Sequence, residues 1–406
     1  MNILVQKFGG SSMATPARRE LVIGHIKEAK AAGYRIVVVV SAMGRSGEPY
    51  ATDTLLQLVD HGKGMDPRDL DLLMSCGEII SAAVLVSELI RAGQRAAVLT
   101  GGQAGILTDD VHGTARIIEV KPDRVLEYLN RGVIPVVAGF QGTTREGEIT
   151  TLGRGSGDTS AVALGVALRA EMVEIYTDVD GLMTADPRVE PHARRLETVT
   201  YREIAEMAHL GAKVIHPRAV EIAMEGHIPL RIRATGSSSP GTLVHSAASQ
   251  VVIRGDRVVT GIAHVGGMVQ VQLETVSDFN RSELGLAIFQ GLAKAGISLD
   301  MIYVSPNRIS FILEQQWAEQ AENILRNFPV GVQIEHGMAK VSAVGAGMRG
   351  VPGVMARVVS ALQQAGVTIY QTTDSHANIS CLVRETDVEA AVHALHSEFQ
   401  LSRPET

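Results

Sequence analysis

Aromatic rings, cysteine and an excess of basic charge are all scarce in this chain, and each shortage removes a class of function. Aromatics make up 4% of the 406 residues and the formal net charge is −7, so the basic patches and stacking rings of a nucleic-acid surface are missing. The only cysteines, Cys76 and Cys381, are far apart and fit no metal-ligand spacing. That predicts reduced core thiols in a cytoplasmic protein, with no structural metal. No apolar run is expected to reach membrane-spanning length, and Gly9 and Gly10 arrive before a signal-like apolar stretch could develop. What is present is core-forming substance: 45% hydrophobic against 20% charged residues, enough for two or three domains.

The chain is organised around residues 150–188, TTLGRGSGDTSAVALGVALRAEMVEIYTDVDGLMTADPR. Gly153, Gly155 and Gly157 surround one cation, Arg154, and lead into an apolar helix starting near Asp158. Backbone amides and the dipole of a helix start favour an anion there. A strand from Met172 to Tyr176 then ends at Thr177 and Asp178, followed by Asp180, Gly181, Asp186 and Pro187. Upstream, the strand at Ile3–Val5 ends in Lys7, Gly9, Gly10, Ser11 and Ser12, which can set an ammonium and amides against phosphate oxygens. A helix over 16–32 and a β-branched strand, Ile36–Val40, complete a parallel βαβ unit whose second small-residue loop begins at Ser41. Ligands of such sheets bind beyond the carboxyl ends of the strands. Residues 45–65 read as a loop or lid holding Thr52 and Asp53. The helix over 66–91 carries Glu78 in apolar surroundings, where a carboxylate needs an arginine or a ligand ammonium as partner.

After about residue 245 the pattern changes. LAKAGISLDMIYVSPNRISFIL, from Leu292, aligns with LQQAGVTIYQTTDSHANISCLV, from Leu362, at an offset of 70 residues, with Gly296 over Gly366. Each copy reads helix, Gly, strand, turn, strand, helix, the βαββαβ order of a ferredoxin-like module. Gly345, Gly347 and Gly350 spell GxGxxG, but a dinucleotide site requires a doubly wound sheet for which too little chain remains. Residues 345–353 are read instead as a small-ligand loop at a helix start.

Taken together, KFGGSS, the Ser41 loop, SCGE around Glu78, TTLGRGSGDTSA, TDVDGLMTADPR and KVIHPRAVEIAM resemble the aspartokinase set, and the paired tail resembles its two ACT domains. The resemblance implies a three-layer αβα amino acid kinase domain with a mainly parallel sheet over residues 1–245. Two ferredoxin-like ACT domains would follow at 246–335 and 336–406. Aspartokinases read GRGGSD where this chain has Gly153-Arg154-Gly155-Ser156-Gly157-Asp158, so the role of Ser156 stays open.

The implied activity is ATP- and Mg²⁺-dependent phosphorylation of the L-aspartate β-carboxylate, the entry to lysine, diaminopimelate, threonine and methionine. By resemblance, Lys7 and Asp158 are catalytic, while Thr52, Glu78 and Arg154 bind substrate. Lys7, Gly9, Gly10, Ser41, Thr177, Asp178, Met183, Asp186, Arg188, Lys213 and Val214 surround the nucleotide, with no resident metal site. Kinases of glutamate, N-acetylglutamate, carbamate or UMP share the glycine loops and lysine. A non-catalytic amino-acid sensor would need only the tail, and an oxidoreductase would rest on GxGxxG alone. The tail is expected to hold an effector through Val351, Pro352, Gly353, Thr373, Asp374 and Ser375, and to join copies of the chain into a homo-oligomer; Met268 is a possible start for a shorter tail-only chain. The short, basic Val304-Ser305-Pro306-Asn307-Arg308 loop and Thr372–His376 resemble diaminopimelate-sensitive enzymes of Bacillus type, favouring that effector over lysine with threonine.

Overall fold

A computed structural model describes residues 2–212, 214–246, 258–275, 281–305, 307–348 and 351–403. They form two compact units. One gathers the described residues up to Leu182, Arg195–Ala208 and those from 214 to 246. The other gathers Met183–Arg194, His209–Ala212 and the described residues from 258 on.

The first unit is built on an eight-stranded sheet. Its spatial order is Thr198–Thr200, Thr242–His245, Leu230–Ala234, Met172–Thr177, Ile3–Phe8, Arg35–Val40, Ile134–Ala138 and Ala96–Leu99. Every pairing is parallel except Leu230–Ala234 with Thr242–His245. The central strands are buried apart from Arg35, the first residue of one of them, which is why they read as nearly unbroken apolar runs without alternation. Three helices begin in the same way. Thr15, Asp66 and His216 cap them by accepting from the N–H of Arg18, Arg68 and Arg218, each with proline at the first helical position. A smaller sheet of Ile117–Val120, Ile106–Thr108, Gln141–Thr143 and Ile149–Thr151 flanks the site. Its first two strands were not legible in the sequence, being only three and four residues long.

Two expectations are corrected. Thr52 and Asp53 lie in the first turn of a helix, Thr52–Gln57, not in an irregular lid. Helix Pro67–Arg91 is long and apolar enough by length and composition to cross a membrane. Its Ala82, Leu85, Val86 and Leu89 instead pack into the core with Val38, Val40 and Val136. Of the cysteines, Cys381 is buried, whereas Cys76 on this helix is only half-buried.

The second unit carries a six-stranded antiparallel sheet in the order Asp300–Val304, Arg308–Glu314, Gly261–Thr275, Val330–Val344, Asn378–Arg384 and Gln371–Asp374. The two repeats share its 15-residue central strands. Residues 268 and 270–275 pair with 338 and 330–335 in the first module, and 261–265 pair with 340–344 in the second. The register breaks between Val265 and Gln270, near Gly267 and Gly337, both at φ +67°. The second module therefore takes its fourth strand from the chain before the first module, and the boundary placed at 335/336 falls inside a single strand. The boundary placed at 245/246 adjoins residues 247–257, outside the described residues. Two apolar cores follow the repeat, one around Phe311 and Leu292, the other around Ile379 and Leu362. The second also takes in Ala185, Val189 and Ala193. Thr184 bonds His396 Nε2 at 2.9 Å and Arg194 donates to Leu401 O at 2.9 Å, so residues 183–194 are built into this unit. Gly345 is explained by close approach, since a Cβ there would lie 2.2 Å from Val258 O. Gly350, the last glycine of GxGxxG, lies outside the described residues.

Candidate active site

In the first unit, Lys7 sits near the end of the central strand between Met172–Thr177 and Arg35–Val40. It is 9% exposed and its Nζ lies 2.8 Å from Asp158 Oδ1. Asp158, in the first turn of helix Gly157–Ala167, accepts the His216 N–H on its other oxygen at 3.1 Å. The ammonium is thus held by a carboxylate that is itself fixed. Gly157 is packed closely here, since a Cβ would come within 3.1 Å of Ser41 Oγ and 3.2 Å of Lys7 Cε and crowd both side chains. Gly10 is required: a Cβ would meet the backbone at Gly44 O, 2.6 Å away, and Ala42 O, 2.8 Å away.

A cavity of about 270 Å³ opens beside this pair, lined by Gly10, Ser41, Thr52, Glu78, Phe140 and Arg154 among others. Glu78 is 3% exposed; Oε1 accepts the Ala42 N–H at 3.0 Å, and Oε2 has no partner. Burial pushes its carboxyl up to about 8, against the pull of the Ala42 N–H and of Lys7. Arg154 Nη1 lies 2.8 Å from Asp53 Oδ1, and both side chains reach solvent. Phe140 holds φ +66°, a costly conformation for an L side chain, with its N–H given to Ser160 Oγ at 3.0 Å. Ser156, fully buried, donates its hydroxyl to Gly153 O at 2.5 Å. That bond closes the glycine loop and gives the displaced hydroxyl an internal use.

The structure brings Lys7, Gly10, Ser41, Thr52, Glu78, Arg154 and Asp158 together. Two expected phosphate donors are committed elsewhere. Gly9 N–H goes to Tyr176 O at 3.2 Å and Ser41 N–H to Phe8 O at 3.1 Å. Gly10, at the first position of a helix, keeps an N–H without an intrahelical acceptor. Asp178 is exposed and pairs with Arg45. Burial would raise its carboxyl, but its own N–H, the Thr177 hydroxyl and Arg45 outweigh this and hold it below the ordinary value. Thr177 is half-buried at the end of its strand, and Val214 half-buried in a turn. Met183, Asp186 and Arg188 belong to the second unit, where the Arg188 guanidinium holds the Asp186 carboxyl low. Lys213 lies outside the described residues. Arg45, Asp53 and Phe140 were not singled out as ligand contacts by the sequence. Of these, only Asp53 had a signal, its place beside Thr52.

In the tail, Val351, Pro352 and Gly353 are exposed ahead of helix Val354–Gln364, with Gly353 at φ +92°. Thr373 and Asp374 end the outer strand Gln371–Asp374. The Ser375 hydroxyl already accepts the Ala377 and Asn378 N–H groups at 3.2 and 3.1 Å. Among the described residues no cluster of His, Cys, Asp and Glu is arranged to hold a metal ion.

Against known proteins, the pattern of the amino acid kinase family matches residues 2–234, and that of the ACT domain residues 333–397. Aspartokinase 1 of Bacillus subtilis is 49% identical over 99% of this chain and 100% of its own length. Among solved structures, E. coli aspartokinase III in complex with aspartate and ADP aligns with a TM-score of 0.79 and 26% identity, covering 98% of this chain and 99% of that one. The same enzyme in complex with lysine and aspartate aligns at 0.77 and 26%, with the same coverage. A family pattern that spans more than half of the chain and a relative 49% identical over nearly all of it show that the chain belongs to the aspartokinases of the amino acid kinase family.

Proposed function

We propose that this chain transfers the γ-phosphoryl group of ATP to the β-carboxylate of L-aspartate, giving 4-phospho-L-aspartate and ADP, the entry step to lysine, diaminopimelate, threonine and methionine. The observation that carries this reading is Glu78. A carboxylate this buried, with one oxygen unpartnered beside a cavity, is prepared for a cation from solution, and an α-ammonium supplies it. Arg154 offers a planar fork to the α-carboxylate once it leaves Asp53, and Thr52 lines the same space. The acceptor needs no general base, because an aspartate side chain with a pKa of about 3.9 is already ionised at neutral pH. The enzyme's work is positioning and charge neutralisation. Lys7, aimed by Asp158, meets the charge of the moving phosphoryl group, with the Gly10 N–H and Ser41 hydroxyl beside it. Magnesium bound with ATP would neutralise its phosphate oxygens, and Asp158, in the first turn of its helix, and Asp178, just after strand Met172–Thr177, are the carboxylates that would hold it. Thr177, Asp178 and Val214 are assigned to the nucleotide.

Release of ADP with aspartate, glutamate, N-acetylglutamate and UMP as acceptors tests the assignment. Turnover confined to one of the others would overturn it. N-acetylglutamate in particular has no ammonium for Glu78.

The tail is assigned feedback binding, with diaminopimelate favoured over lysine plus threonine. The Val351–Gly353 helix start suits a carboxylate, and the short 304–308 turn leaves little acidic surface for lysine. Pro306 in that turn lies outside the described residues. Assembly of copies is assigned to the tail, whose outermost strand exposes Ile302, Tyr303 and Val304. Titration of the kinase with each amino acid, singly and paired, decides the effector. Inhibition requiring lysine and threonine together, without a response to diaminopimelate, sinks that choice.

A further inference from the structure

Helix Pro67–Arg91 carries two fully buried carboxylates seven residues apart, hence on one face, and the reaction accounts for only one of them. Glu78 has a single protein donor. Asp71, 0% exposed, is saturated. It accepts His112 Nδ1 at 2.9 Å, the Gly113 N–H at 3.0 Å, the Thr151 N–H at 3.0 Å and the Thr151 hydroxyl at 2.5 Å. A buried carboxylate with no lysine or arginine beside it is costly unless such donors hold it.

Where those donors sit decides what Asp71 does. Thr151 ends the strand Ile149–Thr151, three residues before Arg154. The segment of His112 and Gly113 backs onto the same strand, with Ala115 N–H given to Thr151 O at 2.9 Å. Gly113 O also lies 3.9 Å from where a Cβ of Gly153 would stand. The apolar anchoring of the helix into the main core begins later, at Ala82, Leu85, Val86 and Leu89. In its first half, Leu70 and Met74 join a smaller cluster with Leu56 and Phe140. Asp71 is thus the buried charged fastening between the helix that presents Glu78 and the strand that leads to Arg154, beside Gln141 Nε2 to Ser75 O at 3.0 Å and the exposed Arg68–Glu148 pair at 2.7 Å.

We infer that Asp71, with His112 and Thr151 as its donors, is a positioning residue for aspartate recognition, fixing the separation of the ammonium and α-carboxylate subsites without touching the substrate. The inference rests on the roles given above to Glu78 and Arg154. It predicts a change in aspartate use that a general loss of stability would not produce, because Lys7 and the nucleotide strand ends are held by other bonds.

The test is steady-state kinetics on Asp71→Asn, His112→Leu and His112→Gln, with thermal melting alongside. Losing a hydrogen bond to a buried charge should raise the aspartate KM about tenfold or more, with the ATP KM within about twofold. His112→Gln, which keeps an N–H donor, should recover most of the loss. If Asp71→Asn does not fold, His112→Leu, at a partly exposed side chain, carries the test alone. Equal rises in both KM values, or a lower melting temperature with unchanged kinetics, would make the cluster merely structural. Glu78→Gln and Arg154→Lys in the same assay separate the two claims. If these also leave the aspartate KM unchanged, the subsite reading fails; if they raise it while the Asp71 and His112 variants do not, the positioning role alone fails.

Discussion

The kinase cavity and the tail loops treat their polar groups in opposite ways. In the first unit Lys7, Asp158 and Glu78 are each less than 10% exposed and held by short bonds or left facing a cavity. In the second, Val351, Pro352, Gly353, Asp374 and Ser375 are exposed. A group that must meet charge only during phosphoryl transfer gains from low dielectric and fixed geometry, since nothing reorganises at the moment of reaction. A group that recognises a free amino acid needs access first, and its affinity can come from contacts completed on binding. The difference predicts steep losses in the cavity and shallow ones in the tail.

The steepest loss is expected at Lys7. Lys7→Met should lower kcat by about 10²–10³-fold while ATP still binds in calorimetry, because its charge is matched to the transition state. Since the substitution leaves Asp158 buried without its cation, the double variant with Asp158→Asn controls for folding. Near-normal turnover would return Lys7 to a structural ion pair and erase the contrast between the units.

Arg154→Lys comes next. Lysine keeps the charge and loses the planar fork, so the aspartate KM should rise about tenfold, by one charged hydrogen bond, with the ATP KM unchanged. A rise in the ATP value alone would move Arg154 to the nucleotide. Asp53→Asn should act in the opposite direction and by no more than a few-fold, because the Asp53–Arg154 pair is exposed.

Glu78 gives the pH dependence. Burial pushes its folded carboxyl up from the ordinary 4.5 to about 8, so the ligand-free protein binds the extra proton and loses stability as pH rises from about 4.5 to 8. Glu78→Gln should flatten that slope in thermal melts. Aspartate needs the ionised form, so its binding near pH 7 should release a proton, seen as a calorimetric enthalpy that changes with buffer. Its KM should fall as pH rises from 6 to 8. No buffer dependence would mean that Glu78 is already ionised or does not meet the ammonium.

How much of this was legible in the sequence follows the same division. The cavity residues betray themselves through local composition: Lys7 before paired glycines, Arg154 between glycines, Glu78 inside an apolar helix. Asp71 did not, because its meaning lies in donors from residues 112, 113 and 151, long-range contacts that no spacing encodes. The 70-residue repeat revealed two modules. It could not reveal that they share strands, since the exchange depends on the bends near Gly267 and Gly337 and on pairing between residues about 70 apart. Nor could it place residues 183–194 within the tail's core, although their nucleotide-like pattern was visible. Backbone commitments such as Gly9 N–H to Tyr176 O were equally hidden, because a glycine in sequence shows permission and not use.

The smallest effects belong to the tail. Asp374→Asn removes a charge from the exposed end of the outer strand, and Ser375→Ala removes a hydroxyl that already accepts two N–H groups within its own turn. One exposed interaction is worth about 1 kcal/mol or less, so the effector concentration for half-inhibition should shift by no more than about fivefold. The KM values for ATP and aspartate without effector should stay unchanged, because binding in the tail acts only by favouring one arrangement of the enzyme over another. The two variants also differ from each other. Asp374→Asn should weaken diaminopimelate, which carries two ammonium groups, more than a monoamine such as threonine. Ser375→Ala should weaken all effectors alike, by loosening the turn. Dose–response curves for both variants read this directly. An Asp374→Asn enzyme with unaltered inhibition, or one whose basal KM for aspartate moves, would place the effector elsewhere and break the contrast between a rigid cavity and an accessible tail.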